Sequence, residues 1–273
     1  MYDRMRCAVL LAAFVMGSAF TSAPLLAQMA EPEPDLKSTA DLDAPQTGTG
    51  PWSFSADMAL VSKYVWRGQN VTDGLVLQPN VAVGYEGFSA GVWGNWEMED
   101  VNGRQGDFTE LDYTFGYDFQ WEMLSVSTGY IYYDFPGGGP DTQELYLGLG
   151  LDVPLNPSVT VYWDVDQANG TYIAFGLGHS FEEIVRFDDN TAMGMDLGVT
   201  LGHGSPGYNE FYFGEDDPAF GDLTLSMGLP IGLGDKVTVT PNLNWSTLLD
   251  SGIRRGATED DNVFGGVTVS IAF

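Results

Sequence analysis

The sequence predicts an all-β fold, an antiparallel up-and-down transmembrane β-barrel of about 12 strands. Apolar residues recur at every second position in segments of about ten residues, the length of a tilted strand that crosses a bilayer. Twelve such segments are present, and bacterial outer-membrane barrels have an even number of strands. The composition agrees, because 35 glycines occur together with 16 Phe, 13 Tyr and 7 Trp, and Gly and aromatic residues in alternating segments are typical of barrels.

Residues 1–27 have the parts of a secretory signal peptide. Arg4 and Arg6 precede the apolar run CAVLLAAFVM, and a small-residue stretch follows, with Ala27 or Ala30 at the cleavage point. The apolar run is about ten residues long, shorter than the roughly 20 that a spanning helix needs. The single cysteine, Cys7, lies in this segment, so the exported chain has no disulfide and depends on its hydrogen-bonded sheet.

A polar, acidic and Pro-rich stretch follows the signal peptide at residues 28–50. It has no apolar periodicity, so we predict a disordered N-terminal segment. The pattern changes at Trp52 and stays changed, which predicts one outer-membrane β-barrel over residues 51–273.

The twelve predicted strands are joined by connections that alternate in length. With the N-terminus in the periplasm, five of six outer loops are longer than four of five periplasmic turns, as outer-membrane barrels require. The exception is the long periplasmic connection 181–192. The strand segments are roughly 52–66, 75–86, 88–98, 108–119, 123–134, 141–153, 157–165, 170–180, 193–203, 221–231, 236–246 and 261–273.

Aromatic residues fall where a membrane barrel places its girdles, near the ends of the strands. Those near the predicted outer ends are Trp66, Trp96, Tyr132, Trp163 and Trp245. The last strand ends in Phe273, and an aromatic at the end of an amphipathic strand resembles the membrane-assembly signal of outer-membrane proteins. This resemblance implies the barrel-assembly machinery as a partner.

The formal net charge of -28 makes nucleic acid and anionic membrane surfaces poor electrostatic partners. Most of these acids are expected in solvated loops, and attraction of cations is the alternative. The acidic triplets 215–217 and 259–261 lie in predicted outer loops, where they could bind Ca²⁺ or link Mg²⁺ to lipopolysaccharide phosphates. Neither has the spacing of a defined calcium loop, and the chain has two histidines, so no cofactor or metal site is predicted.

The stretch SKYVWRG at residues 62–68 places two cations among aromatic residues. In the first predicted strand Lys63 and Arg67 share one parity and Tyr64 and Trp66 the other, so Lys63 and Arg67 are predicted to face the lumen, and Tyr64 and Trp66 to face lipid. The stretch resembles the S-x-Y-x-[WF]-R-G signature of the TorF-type porins, also described as the Gcw_chp family. The resemblance implies an outer-membrane barrel without a defined substrate. The residues that match the signature are Ser62, Tyr64, Trp66, Arg67 and Gly68.

The same register places carboxylates on the inner face of several strands, opposite Lys63 and Arg67. Such opposed charges in a constriction favour polar or charged solutes, and the excess of acids favours cations. Alternatively, Arg67 pins a loop or a neighbouring strand through charge-assisted hydrogen bonds, and both roles can coexist. The predicted pore-lining residues are Lys63, Arg67, Glu97, Asp112, Glu144, Asp164 and Asp222.

Aromatic residues also fall on the predicted inner face, where they either fill space or form a stacking surface for a solute. They are Trp93, Tyr146, Tyr162 and Tyr172. A barrel of twelve strands is intermediate between a filled interior and a wide channel, so we expect a small pore or one closed by an inward loop.

Three functions are compatible with this fold in the bacterial outer membrane. The first is a porin-like channel for passive diffusion of small hydrophilic solutes, cations in particular. The second is a non-conducting structural or adhesive barrel with ion-binding acidic loops. The third is an enzyme, since His203 and Ser205 resemble the H-x-S pair of outer-membrane phospholipases. Because Asn209 lies in a loop rather than on an adjacent strand, the sequence favours a turn there, and we predict no enzymatic activity. Solute and oligomeric state stay open, and lipid and lipopolysaccharide are the expected surroundings.

Overall fold

The computed structural model describes residues 51–136 and 138–273. The predicted signal peptide, 1–27, and the predicted disordered segment, 28–50, lie outside the described residues. The elements in chain order are β1 (Trp52–Val61), β2 (Tyr64–Trp66), β3 (Gln69–Thr72), β4 (Val76–Tyr85), β5 (Phe88–Glu97), β6 (Phe108–Trp121), β7 (Leu124–Asp134), β8 (Thr142–Leu151), β9 (Ser158–Asp164), β10 (Thr171–Asp188), β11 (Thr191–Gly204), α1 (Pro206–Phe213), β12 (Ala219–Gly228), β13 (Ile231–Leu233), β14 (Val237–Leu248), α2 (Ser251–Gly256) and β15 (Asp261–Ala272).

Twelve of the described strands form one closed antiparallel wall, in the order β1-β4-β5-β6-β7-β8-β9-β10-β11-β12-β14-β15. The wall closes because β15 pairs with β1, from Ser55 opposite Ala272 to Val61 opposite Gly266. Short β13 belongs to the same sheet and pairs with β11 and β14 beyond the end of β12. The predicted 12-strand antiparallel barrel is therefore confirmed.

The two faces of the wall differ as the alternating pattern requires. On β8, the outward residues Leu145, Leu147, Leu149 and Leu151 are 41–49% exposed. Their neighbours Glu144 and Gly148 are buried on the inner face. Because successive side chains of a strand point to opposite faces, the barrel has an apolar exterior and a lumen lined by small and polar groups.

The first predicted strand, 52–66, ends earlier than expected. The chain leaves the wall after Ser62, whose N–H donates to the Gly265 carbonyl at 3.0 Å, and β2 and β3 form a separate hairpin. Tyr64 and Trp66 are 1% and 7% exposed, so the prediction that they face lipid is wrong, and Trp66 is not part of an outer girdle. The inside–outside parity of a strand holds only as far as its ladder, and the ladders of β1 end at Val61.

The long periplasmic connection 181–192 is also corrected. Strand β10 continues to Asp188 and pairs with β11 as far as Asp188 opposite Thr191, with bulges after Phe181 and Arg186. Residues 181–190 are exposed along their whole length. The exception to the loop-length rule is thus a tight turn at the end of an extended hairpin.

Helices α1 and α2 occupy two of the predicted outer loops. The carboxylate of Asp250 caps α2 by accepting from the amides of Gly252 and Ile253, and Gly214 in the left-handed conformation ends α1. Within the described ranges no helix has both the length and the apolar character to cross a membrane. The helices and the hairpin contribute to one buried cluster, whose members are Val61, Tyr64, Trp66, Val76, Trp93, Tyr172, Tyr208, Phe213, Leu248 and Ile253. We call the barrel end that carries this cluster the loop end, and the opposite end the turn end.

Candidate functional site

The β2–β3 hairpin turns at Arg67 and Gly68, which have φ angles of 47° and 80°. Two consecutive residues with positive φ match the twist of a tight hairpin, but Asn, Asp or Gly normally occupies the first position. Arg67 therefore accepts a left-handed conformation that costs about 1–2 kcal/mol. The surrounding contacts of its side chain must offset this cost.

Those contacts begin with Glu144 on β8. Arg67 donates from Nη1 to Glu144 Oε1 and from Nη2 to Oε2, each at 2.9 Å, and the two side chains are 0% and 1% exposed. The Tyr133 hydroxyl on β7 also donates to Glu144 Oε2, at 2.8 Å. Parallel charge-assisted bonds of this kind are among the strongest in proteins.

Aromatic rings surround the same guanidinium. Its central carbon lies 4.4 Å from the ring centroid of Trp66, 4.5 Å from Tyr162, 4.4 Å from Tyr172 and 5.6 Å from Tyr208. All four distances are within the range of cation–π attraction. We call the set of groups around this guanidinium the arginine cage, and it consists of Trp66, Tyr133, Glu144, Tyr162, Tyr172 and Tyr208.

Gly68 contacts a different part of the wall. A Cβ added there would lie 2.6 Å from Leu248 Cδ2 on β14 and 2.7 Å from Asp222 Cβ on β12. Four strands separate β8 from β14 in the wall. The hairpin tip therefore reaches across the lumen, and only glycine fits at its far side.

The structure places the other predicted lumen carboxylates in separate contacts. Glu97 accepts from Thr72 Oγ1 at 3.1 Å and from Asn102 Nδ2 at 2.9 Å, which ties β3 to β5 and the loop after it. Asp222 accepts from the Tyr172 hydroxyl at 3.0 Å. Asp112 is buried on the inner face of β6.

Asp164 is the last residue of β9 and holds the β9–β10 loop that follows it. It accepts from Thr142 Oγ1 at 2.7 Å and from the backbone amides of Asp166 and Ala168 at 2.9 and 3.1 Å. These bonds fix the turn that leads into β10.

Lys63 does not join the buried carboxylates. Its side chain is 22% exposed at the loop end, where Nζ lies 2.7 Å from Asp73 Oδ1 and 3.0 Å from Glu259 Oε2. Asn70 Nδ2 donates to the same Glu259 oxygen at 2.9 Å. We call Lys63, Asn70, Asp73 and Glu259 the rim clamp, because they join the hairpin to the loop before β15.

The charges inside the barrel are strongly unequal. Arg67 is the one buried Lys or Arg among the described residues. Seven carboxylates are buried in the same part of the chain: Glu97, Glu110, Asp112, Glu144, Asp164, Asp196 and Asp222. The lumen therefore carries an excess of negative charge.

Sequence reasoning missed Tyr133 and Tyr208 as members of the cage. Tyr133 shares the inner parity of β7, so the alternating pattern contained a signal for it. Tyr208 lies on α1, outside any strand, and no periodicity places it beside Arg67. Of the aromatics predicted for the inner face, Tyr146, Tyr162 and Tyr172 form a row with ring centroids 6.1 and 6.3 Å apart.

The phospholipase-like residues have other contacts. The His203 ring packs edge-on against Phe220, and Ser205 Oγ accepts from the Thr171 amide at 2.8 Å. Asn209 Nδ2 donates to the carbonyls of Gly204 and Asp217. The contacts of Ser205 and Asn209 fix α1 to the wall, and the ring contact of His203 joins β11 to β12.

One acidic triplet clusters and the other does not. Oxygens of Glu215, Asp216 and Asp217 lie within 4.8 Å of one another, while Glu215 also pairs with Arg255 at 3.1 Å. In the second triplet, Glu259 belongs to the rim clamp and Asp261 begins β15.

Several solved structures are similar to this chain at low sequence identity. A structure of the KdgM porin is 13% identical over 80% of this chain and 99% of that chain, with a TM-score of 0.48. The NanC porin is 12% identical over 81% and 98%, with a TM-score of 0.45. LpxR from Salmonella typhimurium is 10% identical over 80% and 99%, with a TM-score of 0.48.

No curated protein matches the sequence. A family described as "Bacterial protein of unknown function (Gcw_chp)" matches residues 45–239, which include β1 to β13 and the whole arginine cage. The chain therefore belongs to the Gcw_chp family.

Proposed function

We propose that the protein is a porin-like channel of the bacterial outer membrane, of the TorF type, for passive diffusion of small hydrophilic solutes with a preference for cations. The observation that carries the proposal is the charge of the lumen, where seven buried carboxylates face one buried cation. A low-dielectric wall lined by one sign of charge concentrates ions of the opposite sign.

The exterior of the barrel supports the membrane location. Strands present large apolar residues to the outside, such as Phe54 and Met58 on β1 and Phe115 on β6. A continuous apolar surface of this extent is unfavourable in water and suits a hydrocarbon layer. The loop end then faces outward, towards lipopolysaccharide, and the turn end with Phe273 faces the periplasm and the barrel-assembly machinery.

The hairpin determines how the channel opens. Its tip joins β8 to β12 and β14 across the lumen. Solutes pass when the hairpin moves aside, while the inner face towards the turn end, with small residues such as Ser53, Gly150 and Gly176, leaves a polar path.

Planar-bilayer recording of the purified protein in a KCl gradient tests the proposal. We expect single-channel steps and a reversal potential on the cation-selective side. A variant with residues 64–72 replaced by a short Gly-Ser linker should carry a larger current, because the tip no longer crosses the lumen. The proposal would be contradicted if neither the wild type nor the linker variant conducted cations in preference to anions.

The same tip favours a second candidate, the non-conducting structural barrel, because it fills the lumen between opposite parts of the wall. In that case neither the wild type nor the linker variant carries current at any voltage. Binding of ions by the outer acidic loops would then be the remaining function.

A further inference from the structure

The arginine cage has the composition of a binding site for a guanidinium group. One carboxylate accepts two parallel hydrogen bonds, and aromatic faces lie around the same group at 4.4–5.6 Å. The planar fork of a guanidinium matches a carboxylate at two points, whereas an ammonium is a point charge. The cage therefore distinguishes these two kinds of cation.

Most of the cage belongs to the wall rather than to the hairpin. Tyr133, Glu144, Tyr162 and Tyr172 lie on the consecutive strands β7, β8, β9 and β10, and Tyr208 lies on α1. Trp66 alone moves with Arg67. If the hairpin withdraws, the carboxylate and four of the five rings stay together at the lumen surface.

The Arg67 side chain occupies the cage at a cost in free energy. Arg67 has a positive φ of 47°, and both members of the pair are removed from water. A solute with the same head group would recover the hydrogen bonds and the contacts with Tyr162, Tyr172 and Tyr208 without the backbone strain. Since a tethered group competes at an effective concentration on the order of millimolar, a free solute should compete in about that range.

We infer that Arg67 is an internal stand-in for the solute, and that the channel binds a small guanidinium-bearing solute at Glu144 when the hairpin withdraws. This inference rests on the proposed channel function and names the chemical class of its cation.

Binding is tested with Arg67→Gly, because glycine accepts the positive φ while the side chain is removed. Isothermal titration of this variant in detergent would compare methylguanidinium with methylammonium. We expect methylguanidinium to bind about tenfold more tightly, from one additional charge-assisted hydrogen bond. The double variant Arg67→Gly/Glu144→Gln should lose that preference. Equal binding of the two cations, or a preference that survives in the double variant, would overturn the inference.

Permeation is tested in the wild type, so the inference does not depend on the folding of a variant. Reversal potentials are measured with methylguanidinium chloride on one side of the bilayer and methylammonium chloride on the other. We expect a higher permeability for methylguanidinium, and a decrease of the K⁺ current when it is added at millimolar concentration. If the wild type conducts but shows neither the higher methylguanidinium permeability nor the decrease of the K⁺ current, the inference is overturned and the channel proposal stands. Absence of current with every salt overturns the channel proposal, and the inference with it.

Discussion

The guanidinium of Arg67 and the carboxylate of Glu144 form a bidentate pair at 2.9 Å, although the two residues are 77 positions apart. This pair holds the tip of the β2–β3 hairpin to β8. Glu144→Gln removes the counter-charge, and a hairpin that stayed in place would then bury an uncompensated cation at a cost of about 3–5 kcal/mol. We expect the hairpin to move out instead and the single-channel conductance to rise.

The control for Glu144→Gln is Asp152→Asn, which removes a carboxylate at an exposed turn. It should leave both the conductance and the thermal unfolding temperature close to those of the wild type. An unchanged conductance in Glu144→Gln would show that the pair does not hold the hairpin in the lumen.

Gly68 gives a test of the same hairpin that does not change charge. In Gly68→Ala the new methyl group would meet Leu248 and Asp222 at 2.6 and 2.7 Å, and the backbone has a φ of 80°. We expect a higher conductance and a lower unfolding temperature, measured by circular dichroism in detergent.

Gly103→Ala is the matched control, because its φ is 71° and no atom lies within 4 Å of the added Cβ. It should show only the backbone cost of about 1–2 kcal/mol, without a change in conductance.

The sequence predicted the wall, and charge-assisted hydrogen bonds of Arg67 as one alternative, but it did not identify their partner, for a physical reason. The inside–outside alternation of strands such as β8 is a local property, so their bounds agree with the predicted segments within a few residues. The pairing of Arg67 with Glu144 depends on how the hairpin folds back across the barrel. No periodicity in one strand carries that information, and the parity of β1 misplaced Tyr64 and Trp66 where the ladder ends.

The rim clamp predicts a pH dependence of opening. The hydrogen bond with Asp73 raises the pKa of Lys63 above its ordinary 10.5, and the hydrogen bond with Lys63 lowers the pKa of Asp73 below 3.8. The stabilisation from Lys63 is therefore complete below pH 10.5 and is lost as the pH rises through the raised value. The stabilisation from Asp73 is complete above pH 3.8 and is lost as the pH falls through the lowered value.

The open fraction of single channels should consequently increase at both extremes of pH. High salt should increase it too, because the clamp is partly exposed and its charges are screened. In Lys63→Met the clamp is absent, so the open fraction should be higher at neutral pH and less sensitive to salt. Equal salt sensitivity in Lys63→Met and the wild type would argue against a role of the clamp in opening.

Lumen carboxylates towards the turn end should set the preference for cations. Asp57, Asp118 and Asp196 lie on the inner faces of β1, β6 and β11. Their combined replacement by Asn should shift the reversal potential in a KCl gradient towards zero, because the lumen loses three negative charges. Replacing the exposed Asp216 and Asp217 by Asn should have a smaller effect, since charges in solvent are screened. If replacing Asp216 and Asp217 shifts the reversal potential more than replacing the three lumen carboxylates, the selectivity originates in the outer loops.

The assembly signal predicted at Phe273 can be tested separately from barrel stability. Its backbone closes the wall, since its amide donates to the Phe54 carbonyl at 2.9 Å and its carbonyl accepts from the Phe54 amide at 3.3 Å. Phe273→Ala keeps both bonds and removes an exposed ring whose centroid lies 5.4 Å from Lys236 Nζ. We expect the refolded variant to unfold in detergent near the wild-type temperature, while the amount of folded barrel in cell membranes falls severalfold. Phe273→Trp should restore assembly, because it keeps an aromatic at the end of the strand. If Phe273→Ala is also less stable in detergent, the ring stabilises the folded barrel rather than acting as a signal. If the wild type and both variants are present in membranes in equal amounts, there is no signal at this position.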